Sequence, residues 1–464
     1  MIRLIISKSS KNSNKISYPV WHPYTQMRDW NKQTKIVITR GDGFYLIDQN
    51  GKRYLDGIAS MWCNVWGHGK NEIVKTMVKQ LHTIQHSTLF GLSSSASIEL
   101  AESLLKIAKG MHHVFYSDNG STAIEVAMKM ALQYWRNKGN YNKVRFISME
   151  DGYHGDTIGA MSIGYISKYF SAYRPIINPA IRIPAPPSVS LHEDNQNGRS
   201  NRSVEQYYID QVEDTLSKHS NNCCALVMES GAQVAGGVRI YPKRYQMKVS
   251  HLCKKYGVLL ILDEIATGFG RLGNMVEYLS QSSIPDIVCF GKSLTAGYSP
   301  LAVTLTTNEI FSKFLGSYSD NKQLYHGHTY TGHTLGCSAA LANIHLYQKN
   351  NLIKKIRLNG MYLQKRLKEI ENSCSIAKRS RCKGLLGAID LVHSDRQNAE
   401  PIEILKNKCR INSFILRESL KLGVFLRSLG NTMLVIPPLA INKTNFGFLL
   451  DVIHELIRKV ERLS

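Results

Sequence analysis

Between residues 113 and 306, short apolar runs alternate with longer segments of helical periodicity, and no other feature constrains the fold as strongly. The apolar runs are candidate strands at 113–117, 144–149, 225–229, 258–263, 286–290 and 301–306. Strands that alternate with helices form a mostly parallel sheet with helices on both faces. The sequence therefore predicts an α/β protein with a ligand site at the carboxyl ends of these strands.

Length and composition set wide limits on the class of protein. The chain has 464 residues, of which 43% are hydrophobic, so it can form one large two-lobed enzyme or two to three domains. No apolar run approaches the roughly 18 residues that a membrane span requires, so no membrane partner is expected. Nine cysteines occur without CxxC spacing, which favours reduced thiols and a cytoplasmic location.

A net charge of +23 raises the alternative of a nucleic-acid-binding protein. The basic residues are, however, spread along the whole chain, and the densest cluster is only KRSRCK at 378–383. Nucleic-acid binding is therefore disfavoured, because the charges form neither a run nor a known module. A positive field can still steer anionic small molecules towards the protein.

Asp263 and Lys292 stand where two neighbouring candidate strands end, in the segments LLILDEIATGFGRLG (259–273) and DIVCFGKSL (286–294). A carboxylate and an amine in this relation suit pyridoxal phosphate. The carboxylate keeps the pyridine nitrogen protonated, and the amine binds the cofactor covalently and moves a proton. Taken alone, Asp263 also fits a helix cap and Lys292 a surface lysine.

Two further segments follow strands and offer groups that a phosphorylated ring would need. Gly120 and Ser121 begin a predicted helix, where free backbone N–H groups form an anion site, although an ordinary helix cap explains them as well. Tyr153 and His154, between glycines in EDGYHGDT (150–157), present an aromatic face for stacking; a buried tyrosine in a tight turn is the alternative.

The segment LYHGHTYTGHTLGC (324–337) contains three histidines, but their spacing matches no usual zinc pattern, so no metal is expected. Thr329 in this segment is a second candidate for a hydroxyl that binds phosphate. Arg427 follows a short strand and can hold a carboxylate through two hydrogen bonds, although a surface ion pair remains possible.

Together these segments resemble the class III, or ω-type, pyridoxal-phosphate aminotransferases of fold type I, from about residue 18 to 460. The resemblance rests on DEIATGFGRLG, the later GK, NGSTAIEVAMKMA, DGYHGDT and HGHTYTGHTLGC. It implies a large domain with a mostly parallel seven-stranded sheet, and a small α+β domain formed from both chain termini. The implied division is a flexible arm at 1–17, the small domain at 18–75 and 341–464, and the large cofactor domain at 76–340.

The resemblance also implies a role for each matching residue. Lys292, Asp263 and Tyr153 would be catalytic. The cofactor pyridoxal 5'-phosphate would be bound by Gly120, Ser121, Tyr153, Asp263 and Lys292, joined across a homodimer interface by His328 and Thr329. The substrate would contact Tyr24, Met61, Trp62, Tyr153, Arg271, Lys292, Gly327 and Arg427, and His154 would help orient the pocket.

The segment WHPYTQM (21–27) resembles the branch of this family that acts in biotin synthesis. That resemblance implies 8-amino-7-oxononanoate as the substrate and S-adenosylmethionine or lysine as the amino donor. The donor stays open because Met61, Ser230 and His328 differ from the better-known members, which have Trp, Pro and Pro there. Another ω-aminotransferase, acting on a diamine or an ω-amino acid, is the alternative.

Overall fold

The computed structural model describes residues 19–32, 35–191, 198–393, 400–406 and 408–464, so the predicted arm at 1–17 lies outside the described residues. The strands are β1 Ile38–Asp42, β2 Tyr45–Asp48, β3 Arg53–Asp56, β4 His113–Ser117, β5 Arg145–Met149, β6 Ile181–Ile183, β7 Cys223–Glu229, β8 Ala232–Gln233, β9 Arg239–Ile240, β10 Leu259–Asp263, β11 Ile287–Phe290, β12 Ala302–Thr306, β13 Ala377–Lys383, β14 Leu386–Leu391, β15 Val424–Phe425, β16 Ser428–Leu429 and β17 Thr432–Val435.

The helices are α1 Met27–Asn31, α2 Ala59–Trp62, α3 Asn71–Thr83, α4 Ser95–Ile107, α5 Gly120–Asn137, α6 Ile158–Ile163, α7 Ser167–Phe170, α8 Gly198–His219, α9 Tyr245–Lys255, α10 Glu277–Ser280, α11 Asn308–Ser312, α12 Thr334–Lys349, α13 Leu352–Ser373, α14 Ile411–Lys421 and α15 Lys443–Glu461. Across the described parts of the chain, none of them combines the length and apolarity that crossing a membrane requires.

Seven strands form the central sheet, in the order β4-β12-β11-β10-β7-β5-β6. Only β12 runs antiparallel to its neighbours within this sheet. Every residue of β7, β10, β11 and β12 is buried, which explains why these strands are continuous apolar runs in the sequence. The predicted mostly parallel sheet is confirmed, and the six candidate strands match β4, β5, β7, β10, β11 and β12 within two residues at each end.

A second sheet joins the two ends of the chain, with the order β1-β2-β3-β15. β15 lies parallel to β3, with Val424 opposite Leu55 and Phe425 opposite Asp56. The N–H of Gly57 donates to the carbonyl oxygen of Phe425 at 3.0 Å and extends this pairing. A third sheet, β13-β14-β17-β16, is formed wholly by the C-terminal part of the chain. The domain boundaries implied above stay a prediction.

In the segment FYLIDQNGKRYLDG (44–57), the sequence predicts a hairpin with Asn50-Gly51 as a two-residue turn. The hairpin is formed by β2 and β3, but its turn is longer. The N–H of Asp48 donates to the carbonyl oxygen of Lys52 at 3.0 Å, so three residues form the loop. The Asp48 carboxylate accepts hydrogen bonds from the N–H groups of Asn50 and Lys52, each at 2.9 Å, and Gly51 has a φ of +81°. The two-residue prediction is wrong because the side chain of Asp48 stabilises the wider turn.

Candidate active site

A cavity of about 260 Å³ opens at the carboxyl edge of the central sheet. Its walls come from the segments that follow β4, β5, β7, β10 and β11, together with one side chain from the β3–α2 region. The predicted site residues that line it are Trp62, Gly120, Ser121, Tyr153, Asp263 and Lys292. The parallel strands bring these residues together because their carboxyl ends meet at one edge.

Asp263, the last residue of β10, has a side chain that is only 5% exposed. Its Oδ2 lies 2.7 Å from Nδ1 of His154, whose side chain is 1% exposed. Its Oδ1 accepts a hydrogen bond from the N–H of Ile265 at 2.9 Å. A carboxylate buried in this way is stabilised by its donors, and the two bonds also fix its direction towards the cavity.

Lys292 follows β11 and has a φ of +44°, in the left-handed region. Its Nζ lies 5.4 Å from the centroid of the Trp62 ring. Burial lowers the pKa of Lys292 below its ordinary value, while the negative charges of Asp263 and Glu229 act in the opposite direction. A lysine whose charged form is disfavoured provides a neutral amine for nucleophilic attack or proton transfer.

The first residues of α5 form the wall opposite the sheet. Asn119 caps the helix by accepting a hydrogen bond from the N–H of Thr122 at 3.1 Å, which leaves the earlier N–H groups for a ligand. A Cβ at Gly120 would lie 2.8 Å from Cγ2 of Ile265, so glycine lets this helix start pack closely against the segment after Asp263. The end of an 18-residue helix in this position is suited to a phosphate.

A hydrogen bond from the backbone N–H of Tyr153 to Oε1 of Glu229, 3.2 Å long, fixes the position of Tyr153. Burial raises the pKa of the Glu229 carboxyl to about 7. At the mouth of the cavity, the hydroxyl of Tyr24 donates to Oδ1 of Asp156 at 2.6 Å. Tyr24 also meets the ring of Tyr169 edge-on, with centroids 5.3 Å apart.

The two predicted arginines occupy different environments. Burial raises the pKa of Tyr169 and the positive charge of Arg427 lowers it, so Arg427 lies near Tyr169, whose ring meets that of Tyr24, although Arg427 does not itself line the cavity. Arg271 is 1% exposed, and its Nη1 donates to the carbonyl oxygens of Leu385 at 3.0 Å and Pro437 at 2.8 Å. Arg271 thus joins the segment after β10 to the C-terminal sheet and does not itself line the cavity.

Met61, Gly327, His328 and Thr329 are not among the residues that line the cavity. Met61 is 47% exposed, although its neighbour Trp62 lines the cavity. Nδ1 of His328 lies 3.0 Å from Oδ2 of Asp118, and the carbonyl oxygen of Thr329 is 2.9 Å from Nε2 of His86. Gly327 packs against the ring of Phe90. The expected contacts of His328 and Thr329 across a dimer interface stay a prediction.

Two acidic residues of the site were missed as functional residues. Glu229 lines the cavity and holds Tyr153, and Asp156 bonds Tyr24 at its mouth. Both belong to segments that end or follow a strand, the same signal that selected Asp263. Applied to every strand end, that criterion would have found them.

The lining residues fit pyridoxal phosphate. Asp263 offers a fixed carboxylate for the pyridine nitrogen, Lys292 an amine for the aldehyde carbon, and the helix start at Gly120 a cradle that a Cβ would fill. Carboxylate, amine and phosphate cradle occur in one cavity, on three different strand ends. The site is that of a pyridoxal-phosphate enzyme.

The chain belongs to the aminotransferase class-III family, whose model matches residues 26–457. Its cofactor is therefore pyridoxal 5'-phosphate. An adenosylmethionine-8-amino-7-oxononanoate aminotransferase of Geobacter sulfurreducens is 39% identical over 442 residues, which are 95% of this chain and 96% of that protein. The protein of the same name from Methanocaldococcus jannaschii is 38% identical over 455 residues, with the same two coverages.

Solved structures show the same architecture. The crystal structure of the Methanocaldococcus jannaschii enzyme matches with a TM-score of 0.87 and 37% identity, covering 96% of this chain and 97% of that one. An amine transaminase from an uncultivated Pseudomonas species, in its PLP-bound form, matches with a TM-score of 0.88 and 30% identity, covering 96% and 99%. The predicted fold type I architecture is confirmed.

Proposed function

We propose that this chain transfers an amino group to the ketone carbon of 8-amino-7-oxononanoate in biotin synthesis, with S-adenosylmethionine as the donor. The observation that carries the proposal is the similarity over 95% of the chain to relatives named for this reaction. The charges at the cavity mouth agree with it. The substrate has a carboxylate at one end and an amino group beside the ketone at the other, and the mouth carries Arg427 and Asp156.

The residues of the cavity divide the chemistry among them. Pyridoxal phosphate, when bound, supplies an aldehyde carbon for the donor amine and a ring that withdraws electrons from it. Asp263, held by His154, keeps the pyridine nitrogen protonated. Lys292 Nζ takes the proton from the donor carbon that bears the amino group and, in the second half of the cycle, returns a proton to the former ketone carbon. Tyr153, which lines the cavity, would stack on the cofactor ring.

Orientation of the ketone substrate follows from the charged groups at the mouth. The Arg427 guanidinium binds the terminal carboxylate of the substrate. The Tyr24 hydroxyl and the Asp156 carboxylate, already 2.6 Å apart, receive its amino group. These two oppositely charged groups distinguish the amino end of the substrate from its carboxylate end. Trp62 borders the reacting carbon beside Lys292.

We further propose that the active unit is a homodimer. A band of exposed apolar side chains runs along α3, the segment after it and α4; it consists of Val74, Val78, Leu81, Phe90, Leu92 and Ile98, which are 40–68% exposed. Exposed apolar surface of this extent marks an interface. Because Gly327 packs on Phe90, burying the band would bring His328 and Thr329 to the partner subunit. Sedimentation of the holoenzyme should give about 105 kDa, twice the 52.3 kDa of one chain.

We place the protein in the cytoplasm, because its nine cysteines are expected to be reduced thiols. Burial raises the pKa of thiols such as Cys289 and so disfavours the reactive thiolate. Protein purified without reductant and then denatured should give nine titratable thiols. Fewer than nine would contradict the proposed compartment.

Single-turnover spectroscopy tests the activity directly. S-adenosylmethionine or lysine is mixed separately with the holoenzyme, and the loss of the visible cofactor band identifies the donor. Adding 8-amino-7-oxononanoate to the product should restore the band. The Lys292→Ala variant should lack the starting band and turn over neither donor. Restoration by simple diamine-derived aldehydes, but not by 8-amino-7-oxononanoate, would overturn the proposed substrate.

A further inference from the structure

The four residues of the short element α2, between β3 and α3, have left-handed torsions and form a left-handed turn instead of a right-handed helix. Ala59, Ser60, Met61 and Trp62 have φ values of +50°, +47°, +74° and +71°. Residues other than glycine avoid this conformation because Cβ approaches the following carbonyl oxygen, and runs of it are rare. A left-handed turn without glycine persists only where surrounding contacts hold it.

The Asp56 side chain provides such contacts. Asp56 ends β3 and is 0% exposed. Its Oδ1 accepts a hydrogen bond from the N–H of Ser60 at 2.8 Å, and its Oδ2 accepts one from Oγ of Ser60 at 2.6 Å. Nε2 of His68 lies 3.2 Å from the same Oδ2. The Asp56 carboxylate thus holds Ser60, the second residue of the turn, through hydrogen bonds from both the backbone and the side chain of Ser60.

The consequence of the turn is visible in the two residues that follow Ser60. Trp62 is 8% exposed, lines the cavity and lies over the Nζ of Lys292, whereas Met61 is 47% exposed. These adjacent side chains therefore point to different sides of the segment. The backbone torsions of residues 59–62 decide which of them forms the cavity wall.

The end of β3 is also paired with the short strand that precedes Arg427, the residue proposed to bind the substrate carboxylate. Asp56 is opposite Phe425 of β15, and Arg427 follows two residues later. The strand pair thus sets the spacing between Trp62 and Arg427. A change confined to the Asp56–Ser60 contact would move Trp62 and leave the strand pairing that precedes Arg427 in place.

We propose that Asp56 and Ser60 are positioning residues that hold the left-handed turn so that Trp62 forms the substrate-discriminating wall beside Lys292. The inference rests on the proposed function only for the choice of ketone substrate in the kinetic test. Neither residue touches the cavity itself, so both act through Trp62.

The position of Trp62 can be measured without a substrate. The chain contains five tryptophans, so holoenzyme labelled with 5-fluorotryptophan gives five ¹⁹F resonances, and Trp62→Phe identifies the relevant one. Ser60→Ala and Asp56→Ala should move that resonance, and Asp56→Asn, which retains an acceptor for the Ser60 N–H, should move it less. Asp48→Ala is the matched control, because Asp48 is a buried carboxylate whose hydrogen bonds come from Asn50, Lys52 and Tyr54 within the β2–β3 hairpin, and it does not line the cavity.

A double-mutant cycle tests the functional part. Ser60→Ala should raise KM for 8-amino-7-oxononanoate about tenfold, the size expected for one misplaced pocket contact, with a smaller change in kcat. In the Trp62→Ala background the same substitution should change KM less than about twofold, since coupled residues are not additive. An unmoved Trp62 resonance in both Ser60→Ala and Asp56→Ala, or additive effects in the cycle, would overturn the inference. If the parent enzyme does not convert 8-amino-7-oxononanoate, the proposed function fails, and the ¹⁹F spectra alone decide the role of the turn.

Discussion

Substituting His154 by leucine should slow transamination, because the imidazole is one of two groups seen to bond the Asp263 carboxylate. The bond between His154 Nδ1 and Asp263 Oδ2 is 2.7 Å long, and both side chains are nearly inaccessible to water. A hydrogen bond to a charged group contributes about 1.5–3 kcal/mol. Without it the N–H of Ile265 is the one remaining protein hydrogen bond described for the carboxylate, so Asp263 is held less firmly towards the pyridine nitrogen.

A less firmly held carboxylate stabilises the protonated pyridine nitrogen less, so the loss appears in the proton-transfer step. The same 1.5–3 kcal/mol corresponds to a decrease of about 10- to 150-fold in the single-turnover rate with donor. His154→Asn is the matched variant, since its amide can donate from nearly the same place as Nδ1, and it should retain most of the rate. The control is His113→Asn. This substitution alters a 2.9 Å hydrogen bond between His113 and Asn308 at the amino end of β4, whereas the cavity lies at the carboxyl end.

Stopped-flow spectroscopy of the bound cofactor measures this rate, and thermal unfolding of each variant separates it from loss of fold. Two results would refute the reasoning. One is a His154→Leu rate equal to the parent rate across pH 6–9. The other is an equal loss in His154→Asn and His154→Leu, which would show that the hydrogen bond to Asp263 is not what His154 provides.

Three further substitutions test other parts of the site. Arg427→Ala should raise KM for 8-amino-7-oxononanoate, at a cost of about 2–4 kcal/mol as a lost charge pair, with little change in the half-reaction with donor; an unchanged KM would remove Arg427 from its role. Gly120→Ala should weaken cofactor binding, because the added Cβ would meet Ile265 Cγ2 at 2.8 Å and push the helix start from the phosphate; equilibrium dialysis of the apoprotein with pyridoxal phosphate measures this, and parent affinity would contradict it. Glu229→Gln should alter the pH dependence of apoprotein stability. Burial raises the pKa of Glu229 to about 7, so the folded protein holds a proton that the unfolded chain has released, and the free energy of unfolding falls as pH rises from about 4.5 to 7. Urea denaturation at pH 5 and pH 8 should give a smaller difference in Glu229→Gln than in the parent; an equal difference would exclude Glu229 as the source.

Local sequence patterns predicted most of the central sheet, and the reason is physical. β7, β10, β11 and β12 are buried along their whole length, so each is a continuous apolar run bounded by polar residues. β6 was not predicted, because it has only three residues and carries the polar Arg182 at its centre. Long-range packing, not local preference, makes that segment an edge strand.

The chemistry of the site was likewise present in the sequence, since Asp263, Lys292 and Gly120 all follow strands of one parallel sheet. Parallel strands carry their carboxyl ends to one edge, so residues at those ends must meet. Local sequence patterns do not, however, predict the direction in which each side chain points. The family resemblance implied that Met61, Trp62 and Arg271 all contact the substrate.

Only the tertiary structure showed where the side chains of these three residues lie. Trp62 faces the cavity and Met61 does not, because a left-handed turn held by Asp56 separates them. Arg271 is drawn to the carbonyl oxygens of Leu385 and Pro437, more than 100 residues away along the chain. Residue types and strand ends, which local patterns encode, determined the class of reaction. The walls of the pocket depend on backbone torsions and on contacts between distant segments, which no local pattern contains.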